Sequence, residues 1–150
     1  MHGDPHILKD FDQLIASMKG EVLSMAARAR HNLERAIGAL MDRNLEQANS
    51  VIADDDDVDE QERLIDQLGM DILVRYHPMA TDLRLVVSSM KISMNLERIS
   101  DHATNIAKRA KKIMATSELQ DVNLIEPLYT LADHLLRDAV SSYSDGNGTL

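Results

Sequence analysis

At 150 residues the chain is long enough for one compact domain with a sizeable core, and an apolar share of 44% with only 3% aromatics favours helix-on-helix packing over a sheet. With 25 acidic against 16 basic residues the net charge is −9, which excludes non-specific binding to nucleic acid or anionic lipid and favours cations or basic protein surfaces as partners. There is no cysteine, hence no disulfide and no thiolate metal site; no apolar run approaches the roughly 20 residues that span a bilayer, and MHGDPHILKD lacks a signal-peptide pattern, so the chain is expected in the cytoplasm, reaching a membrane only through a partner.

The spacing predicts an all-α chain. A first helix is expected from about His6 to Met41, opened by Asp4-Pro5, with Leu14, Met18, Leu23, Met25, Ala29, Leu33, Ala36, Ile37 and Leu40 at mostly three- and four-residue steps. Asn44 with Gln47 reads as a cap and its reciprocal partner. A second helix is expected from residue 45 to about Arg75 on the stripe Val51, Val58, Ile65 and Ile72, weakened by about 1 kcal/mol at Gly69. His77-Pro78 breaks it, because proline suits the first turn of a helix and disfavours helix in the residue before it. A third helix runs from 78 to about 115, with Leu85, Ile92, Leu96, Ile99, Ala103 and Ile106 expected in the core. Thr116 to Glu126 reads as a loop, Pro127 suits the start of a fourth helix reaching Tyr143, and SDGNGTL is expected to fray. A shift of 103 residues lays Leu33 over Leu136, Ala36 over Ala139, Ile37 over Val140, Asp42 over Asp145 and Asn44 over Asn147, a weak internal repeat.

The third helix carries the chemistry. Opposite its core stripe, Leu83, Val87, Met90, Met94, Glu97, Asp101, Asn105, Lys108 and Lys112 form a line that runs from apolar through acidic to basic. Glu97, Asp101 and Asn105 stand one turn apart, a spacing that lets oxygen donors approach one hard cation, and Asp55, Asp59, Glu62 and Asp66 form a second acidic line on the helix before. Two carboxylates do not complete a site of about six ligands, so water, a second helix or a second chain must contribute. The competing reading is a solvated face in which Glu97 pairs with Lys91, Arg98 or a neighbouring helix. The run Asp54 to Asp57 spans all sides of a helix and cannot converge on one ion. No histidine has a glutamate three residues before it, as an inward-facing di-iron bundle requires, and there is no nucleophile with its base and no phosphate-cradling glycine loop, so function by binding, not turnover, is expected.

The segments PMATDLR, KIS at Lys91 to Ser93 and LERISDHATNIAK resemble the third helix of a PhoU repeat, including a Glu/Asp-x-x-x-Asp motif at Glu97 and Asp101; VIADDDDVDEQERLID resembles the second helix, with its Val-Asp pair at Val58 and Asp59. Together these blocks cover roughly half the chain. The resemblance implies an up-down-up three-helix bundle over residues 1–116, and a fourth helix within 117–150 that is the first helix of a second, incomplete repeat, either covering the first bundle or exchanged between chains. It also implies surface metal binding, through iron or zinc, at Glu97 and Asp101, with Asn105 and Asp59 as further candidates and magnesium or nickel as buffer-derived alternatives. The implied function is non-enzymatic: a homodimeric negative regulator linking a Pst-type phosphate ABC transporter to a PhoR-type sensor histidine kinase. The alternative is a metal-storage or metal-redox carboxylate bundle.

Overall fold

The computed structural model describes residues 5–116 and 122–146, with side chains from residue 9 onward. Within them the chain forms α1 (Pro5–Met41), α2 (Leu45–Ala53), α3 (Asp55–Tyr76), α4 (Ala80–Met114), a 3₁₀ turn (Val122–Leu124) and α5 (Ile125–Asp145). The arrangement is all-α, as expected. Residue pairs across the helices set the directions. Arg28 meets Asp57 and Gln61 meets Glu21, so α1 and α3 are antiparallel; Thr104 meets Asp55 while Met90 lies at Gly69, so α3 and α4 are antiparallel; Met18 and Met90 come together at Gly69 while Asn32 meets Ser100, so α1 and α4 run parallel.

The single helix expected from 45 to 75 is broken at Asp54, which takes φ −83° and ψ 1° between α2 and α3. Aspartate is a poor interior helix former but favourable at a helix start, where it complements the macrodipole. The break places Asp55, Asp56 and Asp57 in the first turn of a new helix, where one continuous helix would bury the run in its middle. Tertiary partners hold it there: Arg35 bonds Asp54, and the Thr104 hydroxyl donates to Asp55 Oδ1 at 2.9 Å. Val51, Val58, Ile65 and Ile72 nonetheless all reach the core. The Asn44 cap is half of what its sequence predicts, with its Oδ1 accepting from the Gln47 amide at 3.0 Å while its own amide donates to Ala39.

His77 ends α3 in the left-handed region at φ 46°, Met79 is extended, and α4 starts at Ala80, two residues later than expected. The α4 seam is rotated from the expected one. Buried there are Val86, Ser89, Ser93, Leu96, Ser100, Ala103, Thr104, Ala107 and Ala110, whereas Leu85, Ile92, Ile99 and Ile106 are half-buried to either side. Helices α1, α2 and α3 all press on α4, so small residues occupy the line of closest approach and the bulkier ones fill its flanks. Ser89 and Ser93 donate to the carbonyls of Leu85 and Met90, each at 2.8 Å, which removes the cost of burying their hydroxyls.

Two apolar clusters result. The larger holds Met18, Val22, Met25, Val58, Ile65, Ile72, Val86 and Leu96; the smaller, built from Ala36, Ala39, Ala48, Val51, Ala103 and Ala107, lets α2 approach closely. Between them lies a polar layer in which Asn32 Nδ2 donates to Ser100 Oγ at 3.1 Å, and Arg35 donates to Asn32 Oδ1 at 2.8 Å, to Ser50 Oγ at 2.7 Å and to Asp54. At Gly69 three helices meet: an added Cβ would stand 2.6 Å from Met90 Sδ and 3.1 Å from Met18 Cε.

α5 lies antiparallel on α1. Lys19 donates to the Ser144 carbonyl, Arg30 grips the Asp133 carboxylate, and Leu136, Val140 and Tyr143 pack on the larger cluster. In this single chain the helix packs on its own bundle. It starts at Ile125, two residues before Pro127, and ends at Gly146 with φ 66°. Residues 117–121 of the expected loop and the last four residues of the tail lie outside the described residues, and from Val122 the expected loop is instead a 3₁₀ turn that runs into α5.

Candidate functional site

Antiparallel α3 and α4 bring their acidic lines side by side. Asp59 and Glu62 from α3 and Glu97 from α4 line one open depression of about 330 Å³, together with Arg63, Met94 and Arg98. Burial, followed by the neighbouring carboxylates of Asp101, Asp59 and Glu62, holds the Glu97 carboxyl above its ordinary range. Asp59 is pushed the same way, by burial first and then by Asp55 and Asp101; Arg63 opposes this and does not reverse it. Arg63 is itself turned toward Glu60 on its own helix.

Among the described residues Glu97, Asp101, Asp59 and Glu62 form no ion pair, so Glu97 is not paired with Lys91 or Arg98. Of the four candidate ligands, Glu97 and Asp59 are half-buried and converge; Asp101 is exposed yet close enough to act on both; Asn105 is exposed one turn further on. Asp66, the last acid of the α3 line, is exposed and lines no part of the depression. Among the described residues no three His, Cys, Asp or Glu side chains are gathered tightly enough to hold a metal ion. The donors are all hard oxygens, a chemistry that suits magnesium, calcium or manganese. They fit a cation only as a partial, open set that water or another molecule completes.

Three of the four aspartates in the run turn out to have specific partners. Asp54 bonds Arg35, Asp55 accepts from Thr104, and Asp57 pairs with Arg28 at 3.3 Å. The sequence signal for this was the seven-residue spacing of Arg28 and Arg35, which puts both cations on one face of α1. A depression lined by Arg28, His31, Asn32, Arg35, Asp54 and Asp57 lies there. Its guanidinium groups already hold carboxylates, so an added anion would compete with Asp54 and Asp57.

The PhoU domain model matches residues 22–110 of this chain. The chain belongs to the PhoU family. Relatives named phosphate-specific transport system accessory protein PhoU homolog include those of Zymomonas mobilis, 28% identical over 93% of this chain and 59% of the relative, and of Pseudomonas aeruginosa, 34% identical over 75% of this chain and 47% of the relative. The fold is similar to the crystal structure of PhoU from Pseudomonas aeruginosa, with a TM-score of 0.86 and 27% identity over 90% of this chain and 65% of that one. The chain thus spans between about half and two thirds of the length of these relatives. Among the described residues no helix is long and apolar enough to cross a membrane.

Proposed function

We propose that this chain serves as a cytoplasmic, non-enzymatic adaptor of phosphate-specific transport, a negative regulator through which a Pst-type phosphate ABC transporter signals to a PhoR-type sensor histidine kinase. The family match carries this reading. It is supported by the long helices and by an α3–α4 face on which acids line an open depression. On that face Glu97 and Asp101, with Asp59 and Asn105, hold a surface cation whose remaining ligands come from water or a docked partner. The division into a repeat over 1–116 and the first helix of another over 117–150 belongs to the same proposal. The metal-storage alternative is less well supported, because its carboxylates need to converge inside the bundle and these line its outside.

The test is capture by the purified chain of the transporter's nucleotide-binding subunit and of the kinase domain, beside metal analysis of wild type and Glu97→Ala/Asp101→Ala. Capture of neither partner defeats the adaptor reading; equal metal content in wild type and the double variant defeats the cation site.

A further inference from the structure

The α3–α4 groove has a second half. With Asp55 level with Thr104 and Gly69 level with Met90, the acidic lines continue toward the His77 turn as Met70 and Leu73 on α3 and as Met94, Met90 and Leu83 on α4. Leu73 and Met90 are partly buried against the larger core cluster, while Met94 is 57% exposed, Met70 50% and Leu83 40%. Met94 marks the junction, because it lines the same depression as Asp59, Glu62 and Glu97. The α3–α4 face is therefore mainly apolar toward the His77 turn and anionic at its other end, with Met94 and the exposed Asp66 at the junction.

We propose that this groove receives a helical segment of a protein partner that is apolar at one end and rich in lysine or arginine at the other. Charge complementarity selects the occupant. Among the described residues the four carboxylates of the anionic half form no ion pair, and the whole chain carries −9. Cationic residues with long apolar stems suit the junction when no metal ion occupies it, since the stem lies along Met94 while the head takes the place of the cation at Glu97 and Asp59. At the other end, unbranched methionines adapt to apolar anchors of varied shape, and Leu83, Met90 and Met94 follow helical spacing, matching a helix laid in the groove. Arg98 at the rim repels a cation placed one residue out of register. The proposal rests on the adaptor reading and names the chemistry of the face that the adaptor uses.

The probe is a labelled 18-residue helical peptide with leucines along one face of its first half and lysines along the same face of its second, titrated into the full chain freed of metal by chelation. A second peptide carries glutamates in place of the lysines. Wild type is expected to bind the lysine peptide saturably and the glutamate peptide at least tenfold more weakly. Met94→Lys and Asp59→Lys/Glu97→Lys each lose at least tenfold, while Leu131→Lys, on the exposed side of α5, stays within twofold; helical circular dichroism confirms that every variant is folded. Absence of saturable binding by wild type, undiminished binding by Met94→Lys, or an equal loss in Leu131→Lys overturns the groove. Transporter-subunit capture separates the two ideas. Capture that survives Met94→Lys overturns the groove and leaves the adaptor standing, whereas no capture by wild type defeats the adaptor and leaves the groove to the peptide titration.

Discussion

Neutralising the convergent acids should stabilise the protein. In Asp59→Asn/Glu97→Gln the like-charge relations Asp55 to Asp59, Asp59 to Glu62 and Glu97 to Asp101 all disappear, each spaced three or four residues apart on a helix. Such pairs cost about 0.2–0.5 kcal/mol each, so the gain at neutral pH is about 1 kcal/mol, or roughly 2–4 °C in Tm for a chain of this size. The sign follows from linkage. Both carboxyls titrate above their ordinary range in the folded state, so the folded state binds protons more readily than the unfolded chain; wild-type stability falls as pH rises through that window, and the penalty is complete above it. The double variant should therefore melt higher than wild type at pH 7 and converge with it below about pH 4, where carboxyls are protonated in both states. Thermal melts by circular dichroism across pH, in chelated protein, measure this. A variant that melts below wild type at pH 7, or a difference that persists unchanged at pH 3.5, would show that the two carboxylates hold partners in the fold and that the acidic groove is not under repulsion. Added divalent cation should raise the wild-type Tm by a similar amount and leave the variant unmoved.

Removing Arg35, whose side chain is only 19% exposed, strips partners from Asn32, Ser50 and Asp54 at the α2–α3 break; Arg35→Ala should cost about 3 kcal/mol, since charged hydrogen bonds contribute about 1.5–3 kcal/mol and Asp54 is half open to solvent. Urea unfolding measures it, and a loss below 1 kcal/mol would refute the role given to this layer. Asp133, held below the ordinary carboxylate range by its hydrogen bond to Arg30 and by the charges of Arg30 and Arg137, contributes stability above the carboxylate range that is lost as pH falls through its depressed value. Asp133→Asn should then raise hydrogen exchange in α5 at pH 7 while leaving α1 and α4 protected; unchanged exchange in α5 would show that Leu136, Val140 and Tyr143 alone seat the helix.

Much of the fold was legible because its determinants are local. A proline disfavours helix in the residue before it, as Pro78 does at His77 where α3 ends, and a heptad of Val51, Val58, Ile65 and Ile72 marks a packing stripe that survived even the break at Asp54. The acidic lines were legible for the same reason: sequence separation alone sets the angle between residues on one helix, so Glu97 and Asp101 had to share a face. Other features depended on distant partners. The break at Asp54 rests on Arg35 and Thr104, 19 and 50 residues away along the chain. The α4 seam was misjudged because large apolar residues dominate a periodicity argument, while a helix squeezed by three others buries its serines and alanines first.

From sequence alone, then, the chain determines roughly where its long helices run, apart from the break at Asp54, that Glu97 and Asp101 lie on one face of α4 and Asp59 on an acidic line of α3, and that it resembles the PhoU family. Only the tertiary structure decided that Asp59 and Glu97 share a groove, that the groove turns apolar at Met94, and that α5 folds back onto α1. Angles within a helix are fixed by the helix itself. The register and spacing between helices are fixed by side chains that meet only after the chain has packed, such as Gly69 against Met90 and Arg30 against Asp133.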